Sequence, residues 1–382
     1  MGTHRRTQVI CAGHICLDIT PAAATEVKYD DISEYLSPGS LVPVREAEIH
    51  IGGSVGNTGS AMKKLGADVR MMGKIGDDEF GKLIMDRVND SMGCSGMITA
   101  KGIPTSYSVI LAVPGIDRVI LHNSGANDTF AMSDIDLDAV RDACLFHFGY
   151  PTLMKEFYQN DGRDLVRMFR SVKKLGTATS ADMALISEDS AAARADWETI
   201  IREAVPYIDI FAPSAEELAF LIDRPRYYEW KRKADGRDVT TVISEKDIYP
   251  LAEKLLGWGA KVILIKCGAA GLYLRTAQKE TLRRIGGDLG EHMSEWADIE
   301  HFELCYKPRR VVSGTGAGDT CIAAFLCAVL EGCSWMEAVQ LAAATGASCV
   351  EEYDTLSGIK PFAVLRDKIA HGWEKQKIQN NS

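Results

Sequence analysis

The stretch Val311-Val312-Ser313-Gly314-Thr315-Gly316-Ala317-Gly318-Asp319-Thr320 sets a carboxylate beside a glycine-rich loop, just ahead of an apolar run. That run, 321–330, is rich in helix formers, apolar all round, and stops near Gly332. It therefore predicts a buried helix. Loop glycines that open onto a helix N-terminus expose backbone N–H groups, and with the helix dipole these attract an anion. A carboxylate repels a bound anion, so Asp319 is out of place in a simple phosphate site. It fits there as a base that takes the proton of a hydroxyl attacking a phosphoryl group. A tight turn capped by Asp into a core helix is the plainer alternative on these residues alone.

Two other glycine motifs are excluded. Gly314-x-Gly316 carries Asp319 where G-x-G-x-x-G needs its third glycine, and neither Gly73-Lys74 nor Gly81-Lys82 is followed by Ser or Thr. The chain thus lacks both the dinucleotide fingerprint and the Walker loop. A second glycine cluster, Gly52-Gly53-Ser54-Val55-Gly56-Asn57-Thr58-Gly59, leads into a helix-like 60–65. Such glycines allow close backbone approach to a ligand, and Asn57 offers a donor and an acceptor. Close packing of a helix on a strand explains the cluster equally well. Asp18 follows a buried first strand at 8–13. In an open parallel sheet the ligand crevice lies beyond the C-terminal strand ends, which puts Asp18 within reach of it. An exposed loop carboxylate is the alternative.

The elements that must position these groups follow from periodicity. Strands are expected at 69–73, 144–148, 177–180, 208–212 and 261–266. Helices are expected at 79–92, 165–175, 197–205, 215–222 and 248–256. This alternation predicts an α/β fold with a mainly parallel sheet covered on both faces. Residues 107–111 and 118–121, joined through Pro114-Gly115, read as a hairpin. With strand-like pieces in 19–50, such as 41–44, the hairpin forms a small sheet of the kind a lid requires. Residues 224–246 and 276–303 read as surface insertions.

Composition bounds the function. The chain has 382 residues, 46% hydrophobic and 25% charged, with formal net charge −10. One large domain, 1–382, is the expectation. The acidic balance, without a basic patch, argues against nucleic acid as a partner. The ten cysteines include no C-x-x-C pair and several sit in apolar segments, which suits a reducing, cytoplasmic setting and gives no sign of zinc. No apolar run is long enough to span a membrane.

With both glycine stretches in view, the chain resembles the ribokinase-like (PfkB) sugar kinase family from Asp18 to about Gly358. The motif from Gly52 to Asn57, continued by Gly73-Lys74-Ile75-Gly76-Asp77-Asp78-Glu79-Phe80-Gly81, is similar to that family's N-terminal signature. Gly316-Ala317-Gly318-Asp319 is similar to its C-terminal signature. The resemblance implies a ribokinase-like three-layer sandwich with a small β-sheet lid, from segments at about 16–50 and 104–123. It implies ATP- and Mg²⁺-dependent phosphorylation of a hydroxyl on a sugar-like small molecule. Asp319 would be the base, and the backbone amides of Gly316, Ala317, Gly318 and Asp319 the anion hole. Asp18, Gly53 and Asn57 would hold substrate hydroxyls, with Lys74 directed at the same pocket or at solvent. Lys266, Gly268 and Gly271, in a segment similar to the family's nucleotide turn, would bind the nucleotide with Ser214, Thr315 and Gly318. Glu217 would organise Mg²⁺ through water. Two departures stand out. The family's Asn-x-x-Glu is Ser214-Ala215-Glu216-Glu217 here, and its signature Asp is Ser313, which leaves a monovalent cation unassigned. A nucleoside kinase of the same fold and a non-catalytic sugar sensor are the alternatives. A homodimer through the lid would cover exposed strand edges.

Overall fold

Strand β1 (Gln8–Gly13) alternates Val9 and Cys11 toward one hydrophobic core with Ile10 and Ala12 toward another. A strand with both faces apolar must lie inside a sheet covered on both sides. The computed structural model, which describes residues 8–91, 96–116 and 118–376, has that arrangement. The remaining strands are β2 (Cys16–Ala23), β3 (Val44–Gly52), β4 (Asp68–Gly76), β5 (Met97–Ala100), β6 (Tyr107–Leu111) and β7 (Val119–Asn123). They continue as β8 (Leu145–Gly149), β9 (Ala178–Ala181), β10 (Ile210–Phe211), β11 (Val262–Lys266), β12 (Gly271–Thr276) and β13 (Glu300–Leu304).

Nine of them form one sheet, in the order β13-β12-β11-β10-β9-β8-β1-β4-β5. Pairing is parallel from β11 to β5, and antiparallel only for β12 and β13 at one edge. Helices Arg163–Lys174, Trp197–Ala204 and Ala215–Ile222 cover one face. Helices Gly53–Lys64, Ala317–Leu330 and Trp335–Cys349 cover the other. A separate four-stranded sheet, in the order β3-β2-β6-β7, stands off the body. Its apolar side chains Leu17, Ile19, Ile49 and Ile51 join Val55, Ile84 and Val88 in a third, smaller core under helix Glu79–Ser91. The expected end of that helix, Met92, lies outside the described residues. No helix among the described residues is long and apolar enough to cross a membrane.

Three expectations need correction. The glycine cluster is the first half of helix Gly53–Lys64 and not a loop ahead of it. Glycine is a poor helix former, but Cβ atoms at Gly56 and Gly59 would meet Ile51, Met71 and Cys11, so packing overrides propensity. The stretch 224–246 contains helix Arg224–Ala234, with Tyr227 and Trp230 buried. The stretch 276–303 buries Leu282, Met293 and Trp296 and supplies most of β13. Both carry core as well as surface.

Candidate active site

The chemistry-bearing residues gather at the C-terminal ends of the parallel strands, where an open α/β sheet places its crevice. His14 follows β1, Tyr150 follows β8, Asp182 follows β9, Ser214 follows β10, and Lys266 ends β11. Two helices begin beside them. Helix Ala317–Leu330 starts after Gly316 at φ 71°, and no side chain caps its first turn. A Cβ on Gly316 would lie 2.3 Å from Thr355, so both the left-handed backbone and the space require glycine. Gly318 lies in that first turn, where a Cβ would come 3.3 Å from Lys266 Cε. An uncapped helix start favours negative charge, and here a lysine stem lies alongside it.

Asp319 is 6% exposed, and three groups donate to its carboxylate. Tyr150 donates its hydroxyl to Oδ1 at 2.6 Å, Asn57 Nδ2 donates to Oδ2 at 3.0 Å, and Thr58 Oγ1 lies 3.4 Å from Oδ1. Burial pushes the Asp319 carboxyl above the ordinary range, while the Tyr150 and Asn57 hydrogen bonds and the nearby Lys266 pull it back. Asp182 is 1% exposed, with Oδ1 3.5 Å from Ser54 Oγ and 3.6 Å from His147 Nε2. Burial raises its carboxyl well above the usual value. Lys266 donates to the carbonyl of Ala212 and stands 3.9 Å from Glu217 Oε2.

Ser214 and Glu217 form a capping box on helix Ala215–Ile222. Ser214 Oγ accepts from Glu217 N at 3.1 Å, and Glu217 Oε2 accepts from Ser214 N at 2.6 Å. The Ser-x-x-Glu spacing therefore has a structural role of its own. No cluster of three or more His, Cys, Asp or Glu able to hold a metal occurs among the described residues. The donor set fits a hydrated cation shared with phosphate oxygens, and not a closed protein cage.

A cavity of about 900 Å³ separates the small sheet from the body. Asp18, His50, Asn57, Arg118, Thr315 and Thr355 are on its wall, and Asp319 is not. The strand registers pair Asp18 with His50, Asp18 with Ser108, and Ser108 with His122. Because side chains directly opposite each other share a face, these four form one polar row across β3, β2, β6 and β7. The row reaches the body where His122 Nε2 meets His14 Nε2 at 3.3 Å. Burial raises the Asp18 carboxyl and lowers both His14 and His122 from the ordinary imidazole value. Arg118 Nη1 donates to Thr315 Oγ1 at 2.9 Å and ties the small sheet to the loop before Gly316.

Of the residues picked from sequence, Asp18, Asn57 and Thr315 reach the cavity, and Asn57 joins the cavity to Asp319. Gly53, at φ 75°, packs on the carbonyl of His14. Gly268 and Gly271, at φ 56° and 136°, form the turn between β11 and β12. Lys74 is a correction. Its ammonium is held by the carbonyl of Thr129 at 2.8 Å and by Asp134 at 3.0 Å, away from the cavity wall. Tyr150, Thr58, Asp182, His122 and Ser108 were missed. A tyrosine or an aspartate just after a short apolar strand carries no local signal, and the polar row depends on a register that no single segment encodes.

This architecture is that of the ribokinase fold. The description "pfkB family carbohydrate kinase" matches residues 7–361, and the chain belongs to that family. It is thus a carbohydrate kinase, a phosphotransferase of the ribokinase-like type. The chain is 23% identical over 301 residues to an uncharacterized sugar kinase of Archaeoglobus fulgidus, covering 78% of this chain and 97% of the relative. It is 23% identical over 386 residues to the 5-dehydro-2-deoxygluconokinase of Clostridium perfringens, covering 96% of each. The structure of Arabidopsis thaliana ribokinase complexed with ribose and ATP superposes with TM-score 0.68 at 21% identity, covering 94% of this chain and 98% of that one.

Proposed function

We propose that the protein transfers the γ-phosphoryl group of ATP to a hydroxyl of a sugar or sugar-like small molecule, with Asp319 as the base. The observation that carries this reading is Asp319 itself, a buried carboxylate in the first turn of a helix that no side chain caps. Support comes from family membership, and from the ribose and ATP bound to the Arabidopsis ribokinase of the same fold.

The acceptor hydroxyl donates to Asp319, its oxygen forms the new bond to the γ-phosphorus as the bond from that phosphorus to the β,γ-bridging oxygen breaks and ADP leaves, and its proton passes to the carboxylate. The N–H groups of Gly316, Ala317, Gly318 and Asp319 hold the negative charge that builds on the transferred group. Lys266 and Thr315 meet the nucleotide phosphates, and Ser214 and the turn Gly268–Gly271 border the nucleotide. Glu217 would hold a magnesium ion through water, and that ion would supply charge neutralisation for the phosphates. Asp18, Gly53 and Asn57 orient the acceptor. The small sheet acts as a lid over the cavity, and its outer edge is the contact of a homodimer. A sugar is favoured over a nucleoside because Tyr353 and His50 are the only aromatic rings among the described residues on the cavity wall, whereas a base needs aromatic faces to stack on.

The test is ATP turnover with Mg²⁺ across sugars, sugar acids, polyols and nucleosides, for the wild type and Asp319→Asn. A substrate-dependent rate that collapses in the variant supports the reading and names the acceptor class. Equal rates in the two proteins remove Asp319 as the base.

A further inference from the structure

We propose that Tyr150 is a positioning residue of the transfer site, whose phenol holds the place on Asp319 that the acceptor hydroxyl takes over. This rests on the reading of Asp319 as the base.

Three observations carry it. The first is chemical likeness. The Tyr150 hydroxyl donates to Asp319 Oδ1 at 2.6 Å, which is what an acceptor alcohol must do before its proton leaves. The second is access. Asp319 is 6% exposed, off the cavity wall, and already receives Asn57, Thr58 and Tyr150. Oδ1 already receives both Tyr150 and Thr58, so an alcohol that bonds to that oxygen must displace one of them. Asn57 and Thr58 are fixed within helix Gly53–Lys64, whereas Tyr150 heads the short segment that follows β8. The third is the backbone. Tyr150 sits at φ 62°, ψ 42°, directly before Pro151. A bulky residue in the left-handed region is strained, and such strain collects at sites that move or bind. Of the three donors, Tyr150 is the one on a left-handed backbone.

The consequence concerns water. With the phenol in place, water is kept off the base and ATP is not hydrolysed idly. The acceptor displaces the phenol and gains the base. When the phenol is removed, water fills the vacated space and can act in its stead. Its oxygen bonds to the γ-phosphorus, the bond from that phosphorus to the β,γ-bridging oxygen breaks, and Asp319 takes the proton. The products are ADP and phosphate.

The experiment measures ADP release from the full chain with ATP and Mg²⁺ and no acceptor. Tyr150→Phe removes only the hydroxyl, and Tyr150→Gly suits the left-handed backbone while opening more room. Each is assayed alone and combined with Asp319→Asn, with thermal melts confirming the fold. The expected result is a rise of roughly ten-fold in acceptor-free hydrolysis for Tyr150→Gly, with a smaller rise for Tyr150→Phe and no rise when Asp319→Asn is present. A merely structural tyrosine predicts lower melting temperatures and no gain in hydrolysis. Folded Tyr150 variants that hydrolyse no faster than the wild type overturn the proposal and leave Asp319 as the base. A gain that persists with Asp319→Asn overturns both.

Discussion

At the scale of single residues, the proposed role of Asp319 turns on the balance between burial and hydrogen bonding at one carboxylate. Burial favours the protonated form of Asp319, and the Tyr150 and Asn57 hydrogen bonds oppose it. In the proposed role Asp319 must be ionised, so activity would fall as the pH drops through its pKa, which is raised above the ordinary carboxylate value of 3.8. The acid limb of kcat/KM is therefore expected above the range of a free carboxylate. Tyr150→Phe removes a group that lowers the pKa, so it moves that limb to higher pH. A pH–rate profile of the two proteins, run with the acceptor that the panel identifies, checks the direction. An unmoved limb means that some other group sets it. Asp319→Asn keeps the shape and removes the basicity, and it should cost at least ~10²-fold in kcat with the melting temperature little changed.

At the scale of elements, the start of helix Ala317–Leu330 is held by geometry that a substitution can separate into parts. Gly316 and Gly332 bracket this helix, at φ 71° and 76°. A Cβ on Gly332 would meet nothing within 4 Å, while one on Gly316 would strike Thr355 at 2.3 Å. Gly332→Ala thus measures the left-handed penalty alone, about 1–2 kcal/mol, with kcat unchanged. Gly316→Ala adds the clash and shifts the N–H groups, so it should cost more stability and at least ~10-fold in kcat. Denaturant melts and steady-state rates of both variants test this, and equal effects would mean that the helix start is not specially placed. This helix was legible in sequence because an unbroken apolar run between glycine stops leaves little choice. The strand–helix alternation after Cys144 was legible for the same reason, and 215–222 was placed at both ends because Ser214 caps it. Helix Gly53–Lys64 was legible only in its second half, since its glycines are chosen by neighbours far away in the chain. Lys74 reads as a pocket residue until the fold brings Asp134 to it.

At the scale of the molecule, the question is what covers the small sheet. Its edge strands are β3 and β7. On β7, Val119, Ile120 and Leu121 are 36%, 51% and 55% exposed, an apolar run on an open edge. The registers pair Ile120 with Ile110, which is on the cavity wall, and Val119 and Leu121 with Leu111 and Val109 on the opposite face. An edge with free N–H and C=O groups and apolar side chains on both faces invites pairing with another chain. A second copy of this one is the partner that a homodimer supplies. Sedimentation at micromolar concentration should then give a dimer. Val119→Lys combined with Leu121→Lys should shift it toward monomer, because two charges on one face oppose close approach while leaving the cavity-side Ile120, Ser108 and His122 in place. If the lid is completed by the partner, monomer formation should also raise KM for the acceptor more than it lowers kcat, since the body that carries Asp319 is untouched. A wild type that sediments as a monomer at these concentrations would mean that β7 is open in the working enzyme, and that the lid closes without a second subunit.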